Sequence, residues 1–183
     1  MSRERLIGPY QSILPGEPGD VVVVVDDSQA ASDWQEADRL ARFFGEYLGF
    51  CGHHPASAEQ LASVGYATNE LAENAIKYSA DHHFELVGWA QTDAIVLALS
   101  NTMDADRAER LVESAESISQ NDPHMLFIQR VEDNADGLDT GSGLGLLTLI
   151  VDHGAQLAWR LDPAGDARVQ LHTLVRLPAT HEE

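Results

Sequence analysis

Three residues at helical spacing could do chemistry together: Glu70, Asn74 and Lys77. At about 100° per residue they fall within roughly 60° of one another, with Glu73 beside them. A carboxylate can orient or deprotonate a nucleophile, an amide oxygen can ligate a hard cation such as magnesium, and an ammonium can neutralise phosphate. Glu73 and Lys77 can equally make an ordinary i, i+4 surface pair, so the stripe alone does not define a site. Lys77 adds weight, because it is the single lysine of the chain; the other ten basic residues are arginines.

A second candidate lies far along the sequence. Gly141-Ser142-Gly143-Leu144-Gly145-Leu146 puts a flexible backbone immediately before an apolar helix, where free amides and the positive helix end could face an anion. An ordinary loop with a tight helix start fits the same residues. A dinucleotide-binding fingerprint would want glycine where Leu146 stands and a strand before the loop, where Glu132 to Asp139 is polar. A Walker A loop would need Gly-Lys-Ser or Gly-Lys-Thr, which the sequence lacks.

The elements that must position these groups follow from periodicity. Residues 1–19, with three prolines and three glycines, read as an irregular N-terminal arm. Asp20 to Asp26 holds five consecutive valines and predicts an extended, buried strand. Helical spacing runs from about Ser32 to Phe50, and a second helix, capped by Ser57, runs to about Lys77 or Ser79. In that helix Leu61, Val64, Ala67, Leu71, Ala75 and Tyr78 form an apolar sector beside the polar stripe. A hairpin is expected from His83 to Gln91 and Ala94 to Leu99, then helices over Asp104 to Ile118 and about Pro123 to Val131. A helix from about Leu144 to Asp152 precedes two strands, Ala155 to Leu161 and Ala167 to Leu177, joined by a Pro- and Gly-containing turn. Helices segregated from a hairpin-rich, mostly antiparallel sheet predict an α+β two-layer sandwich. The expected organisation is an arm over 1–19 and a single domain over 20–183 with a helical lid insertion at about 104–139.

Taken together, Asn69-Glu70-Leu71-Ala72-Glu73-Asn74-Ala75-Ile76-Lys77-Tyr78 and the Gly141 to Leu146 segment resemble the N box and G2 box of the GHKL superfamily, which includes histidine-kinase ATP-binding domains, gyrase-type ATPases and anti-sigma-factor serine kinases. The resemblance implies a Bergerat-type ATP site. It carries the family's catalytic base onto Glu70, its magnesium ligand onto Asn74, a phosphate contact onto Lys77, and the phosphate-binding lid segment onto Gly141, Gly143 and Gly145. Asn101 stands where the family's adenine-reading Asp is expected, and its amide oxygen could accept from the adenine amino group. Small size and the lack of a phosphoacceptor-histidine helix resemble the anti-sigma serine/threonine-kinase branch. The acidic insertion is more similar to SiaB-type kinases and related small bacterial regulators. The implied cofactors are ATP or ADP with Mg2+. The implied partner is a small antagonist-type protein substrate, or a sigma or regulatory protein, in a partner-switching pathway. A nucleotide- or cofactor-binding sensor without turnover is the alternative, and a homodimer is left open.

Composition limits the remaining classes. Eleven basic residues against thirty acidic ones give a formal charge of −19, which opposes nucleic acid and anionic lipid. The apolar runs are too short to span a bilayer, so a cytoplasmic location is expected. Cys51, the single cysteine, is expected to be buried, with no intrachain disulfide or multi-thiolate metal site. The pairs His53-His54 and His82-His83 lack a third ligand at useful spacing, which argues against zinc. Trp34, Trp89 and Trp159 read as core or interface anchors. From Asn101 to Asp139, ten acids face only Arg107, Arg110 and Arg130, as on a solvated helical face.

Overall fold

Alternation along the strands decides which layer each residue serves. Strand β4 (Ala94–Asp104) turns Ile95, Leu97, Leu99 and Met103 toward a helical layer, while Val96 and Ala98 enter a second apolar cluster on the opposite face. Coverage on both faces explains why its first half is almost continuously apolar. The computed structural model describes residues 3–26, 34–51, 57–135, 144–165 and 167–179. Among them, six strands form one sheet: β1 (Arg5–Ile7), β2 (Val21–Asp26), β3 (His83–Ala90), β4, β5 (Gln156–Pro163) and β6 (Arg168–Pro178). Their order is β1-β5-β6-β4-β3-β2, with every neighbouring pair antiparallel. The expected α+β two-layer arrangement is what forms.

Among the described residues, six helices accompany the sheet: α1 (Tyr10–Ile13), α2 (Trp34–Cys51), α3 (Ala58–Tyr78), α4 (Ala105–Gln120), α5 (Pro123–Ala135) and α6 (Leu144–Val151). The principal core joins Phe44 and Leu48 of α2, Val64 and Leu71 of α3, Val112 of α4 and Leu147 of α6 to the inner residues of the sheet. Burial of these side chains, each worth about 1.5–3 kcal/mol, holds the helical layer down. Trp89 and Trp159 are buried, and the Trp89 indole N–H donates to the Glu17 carbonyl at 2.9 Å.

Four local expectations change. Residues 1–19 are not wholly irregular: β1 pairs with β5, and Tyr10 and Ile13 of α1 pack on the outer face of the sheet. The valine strand forms but is not buried throughout. β2 is an edge paired only with β3, so Val22 and Val24 stand exposed while Val21, Val23 and Val25 meet the core. β4 does not stop at Leu99. Pairing with β6 continues through Asp104, so Asn101 lies within a strand and not in a following loop. Cys51 is exposed at the end of α2, beyond the reach of that helix's buried stripe.

Candidate functional site

Helix α3 starts where the Ser57 hydroxyl accepts from the Gln60 amide at 3.1 Å, and it runs uninterrupted for 21 residues. Val64, Ala67, Leu71 and Ala75 are buried against the sheet. That packing fixes the rotation of the helix, and the adjacent stripe of Glu70, Glu73, Asn74 and Lys77 therefore faces a pocket of about 770 Å³. The floor of the pocket is apolar and comes from the sheet, through Leu99, Met103, Trp159 and Leu171. Asn101 of β4 projects into the same space, as do Leu144, Gly145 and Leu146 at the start of α6. Of the residues singled out from sequence, Glu70, Asn74, Lys77, Asn101 and Gly145 thus share one cavity. Gly141 and Gly143 lie outside the described residues, as do His53 and His54.

Gly145 has a specific steric reason to lack a side chain. A Cβ at this position would overlap the carboxylate of Glu70. Gly145 and the α3 stripe are therefore two halves of one packing contact, with the Glu70 carboxylate resting on the backbone of α6. The Tyr66 hydroxyl, one turn before Glu70, interacts with both Glu70 and Thr148 of α6. Its ring stacks on His153, whose Nδ1 is 2.9 Å from the Ser63 hydroxyl. These contacts hold α6 against α3 and fix the carboxylate.

Burial, and then the neighbouring Glu73 charge, push the Glu70 carboxyl above the ordinary carboxylate range, with the Tyr66 hydroxyl partly offsetting them. A carboxylate raised in this way is a stronger proton acceptor. Glu73 is held by Asn69, whose amide nitrogen donates to it at 2.7 Å. Asn101 is buried, with its amide nitrogen 3.4 Å from the Thr102 carbonyl, which leaves its amide oxygen as the acceptor available to a ligand.

Helices α4 and α5 contribute what sequence reasoning missed. Arg107 and Arg110 of α4 and Arg130 of α5 all line the pocket, and the Arg107 Nη1 donates to the Lys77 carbonyl at 3.5 Å. The i, i+3 spacing of Arg107 and Arg110 was the available signal, since it puts both on one side of a helix whose other charges are acidic.

A second cluster of catalytic residue types lies on the outer face of the sheet. The Ser100 hydroxyl is 2.7 Å from His172 Nδ1, and His172 Nε2 is 3.4 Å from Asp162, which also accepts from Arg160 Nε at 2.7 Å. Ser100 sits inside β4, a central strand whose backbone amides are committed to ladders with β3 and β6. An acyl-transfer site needs free donors for an oxyanion, and a fully paired strand supplies none. The row is a cross-strand polar network.

Donor chemistry at the inner pocket fits a magnesium-bound phosphate compound: the Asn74 amide and Glu73 carboxylate supply oxygen ligands, and Lys77 and the arginines supply positive charge. No described helix is long and apolar enough to cross a membrane. No protein-family model and no curated protein matches the chain. Among solved structures, the chain is similar to one in the crystal structure of the SiaB–SiaC complex from Pseudomonas aeruginosa, with a TM-score of 0.66, 17% sequence identity, and coverage of 92% of this chain and 94% of that one. At that identity the likeness is one of fold.

Proposed function

We propose that this protein is a GHKL-type, Mg-ATP-dependent regulator that transfers the γ-phosphoryl group to a serine or threonine hydroxyl of a small partner protein. The observation that carries the reading is the convergence of Glu70, Asn74, Lys77, Asn101 and Gly145 on one cavity, from segments that are distant in sequence. The fold likeness to a chain of a two-protein complex supports a protein partner. In this reading Trp159 and Leu171 form the apolar seat for the adenine, and the Asn101 oxygen accepts from its amino group. Asn74 holds the magnesium ion, which when bound would neutralise phosphate oxygens. Lys77 contacts the phosphates directly.

Glu70 takes the proton of the attacking hydroxyl as its oxygen bonds to the γ-phosphorus. The bond from that phosphorus to the bridging oxygen breaks, and ADP leaves with the electron pair. Positioning and charge neutralisation supply most of the acceleration in such transfers. The test is Asn74→Ala, which should lower magnesium-dependent ATP affinity by about a hundredfold, in line with loss of a metal ligand and its support. Calorimetric titration reads the change, and undiminished binding overturns the metal-ligand role. If ATP binds but γ-labelled ATP never labels a co-purified partner, a sensor without turnover is the correct description.

A further inference from the structure

Along one side of α3, Ser63, Tyr66 and Glu70 recur at i, i+3 and i+7, and this row faces α6 and the residues just after it. The Ser63 hydroxyl is 2.9 Å from His153 Nδ1, the Tyr66 ring stacks on the His153 ring with centroids 5.1 Å apart, and the Glu70 carboxylate lies against the backbone of Gly145. The Tyr66 hydroxyl interacts with Glu70 on its own helix and with Thr148 on α6. Thr148 follows Gly145 at i+3, so both stand on the same side of α6.

Gly145 and Tyr66 do different things for Glu70. Gly145 gives the carboxylate room, but room alone leaves a flexible side chain free to turn. Tyr66 gives it a fixed partner, because the phenol ring packs against the principal core and on His153, and its oxygen has little freedom of its own. An ionised carboxylate only accepts hydrogen bonds, so the contact has one sense: Tyr66 donates to Glu70, and the phenol oxygen keeps its lone pairs for the Thr148 hydroxyl. A polar row from Thr148 through Tyr66 thus runs from α6 to the pocket and ends on Glu70. Glu73, the acid whose charge repels Glu70, is held by Asn69 at 2.7 Å. Resting on the reading of Glu70 as the proton acceptor, we propose that Tyr66 is a positioning residue for that base, holding its carboxylate at the pocket, and that Thr148 anchors Tyr66 to α6. The same contact sets the strength of the base, since a donor to the ionised form opposes the upward push of burial and of Glu73.

The experiment uses the full chain and its Tyr66→Phe, Thr148→Val and Thr148→Ser variants. Tyr66→Phe keeps the ring on His153 and removes only the hydroxyl, and a melting curve checks that each variant is folded. Carbon NMR of glutamate-labelled protein follows the Glu70 carboxyl against pH, with Glu70→Gln assigning its signal, and the consumption of γ-labelled ATP with magnesium is measured over the same range. The other charged groups of the site are common to all of these variants: Glu73 and Lys77 of α3, Asp152 and His153 beside Tyr66, and Arg107, Arg110 and Arg130 from α4 and α5. In Tyr66→Phe the Glu70 titration and the acid limb of the rate profile should both move to higher pH. On the alkaline plateau, where the carboxyl is ionised in every variant, the rate should fall about tenfold, as for one lost charge-assisted hydrogen bond, while KM for ATP stays within about twofold. Thr148→Val should act in the same direction more weakly, and Thr148→Ser should restore the unaltered values. An unmoved Glu70 titration in both Tyr66→Phe and Thr148→Val overturns the hold. A moved titration with an unchanged plateau rate, or a loss that lies wholly in KM, overturns the positioning role. If the unaltered chain neither binds nor consumes ATP, the reading of Glu70 as a base falls, and the titration still decides whether Tyr66 holds it.

Discussion

Ser100 and Asn101 are neighbours in one strand and belong to two opposed clusters. Asn101 lines the inner pocket with Glu70, Asn74 and Lys77, whereas Ser100 joins His172 and Asp162 on the outer face. By residue type the outer cluster looks the more reactive, since it contains a serine, a histidine and an aspartate within hydrogen-bonding distance. Its groups, however, are satisfied by each other. The inner groups border a cavity of about 770 Å³ with an apolar floor. A bordering cavity, more than an inventory of side chains, marks a ligand site.

The largest effect that sharpens this contrast is expected at Gly145. In Gly145→Ala the new methyl would displace the Glu70 carboxylate, the movable end of a side chain, so the fold should survive while the proposed base is moved. A misplacement of about 1 Å can cost a factor of about a hundred in rate. Label transfer from γ-labelled ATP should therefore fall at least that far, matching Glu70→Ala, while Mg-ATP binding is kept. Full transfer activity in Gly145→Ala would mean that the Glu70 position does not matter to the chemistry.

An intermediate effect is expected on the opposite face. Ser100→Ala removes one partner of the half-buried His172, and a lost hydrogen bond of this kind costs about 1 kcal/mol of stability. Nucleotide affinity and transfer should be unchanged. A denaturation midpoint and a titration on the same sample separate the two properties, and a loss of transfer would join the clusters that the geometry keeps apart.

Much of this architecture is legible in sequence because packing and chemistry there share a period. In α3 the apolar and polar stripes are both helical, so Glu70, Asn74 and Lys77 can be placed together without a structure. Gly145 could be suspected from its motif, but its contact with Glu70 depends on how α6 docks on α3, about seventy residues away in sequence. The Ser100, His172 and Asp162 row is set by the registers of β4, β5 and β6, which alternation alone does not give. The continuation of β4 past Leu99 is also decided by its partners: Asn101, Thr102 and Asp104 interrupt the apolar pattern, while the ladder with β6 carries on through them. From Asn101 to Asp139, ten acids concealed that the three arginines line the pocket, since composition records sign but not direction.

The smallest effect is one of pH and belongs to the outer cluster. Burial, and then the Arg160 guanidinium, lower the His172 pKa from its ordinary value of 6.5, with Asp162 offsetting part of the shift. The folded state therefore prefers neutral His172, whereas the unfolded chain takes up a proton near the ordinary value. Between the lowered and ordinary values the unfolded state binds more protons, so stability rises with pH there. The contribution is complete above about the ordinary histidine value and is lost as pH falls toward the lowered one. His172→Gln removes this titration. Melting temperatures measured from pH 7.5 to 5 should fall a few degrees further in the unaltered chain than in the variant. Equal slopes would show that His172 is not held neutral by its surroundings. A change in Mg-ATP affinity in the variant would break the separation between the two faces of the sheet, because His172 reaches the pocket through no hydrogen bond and belongs to the row that Ser100 begins.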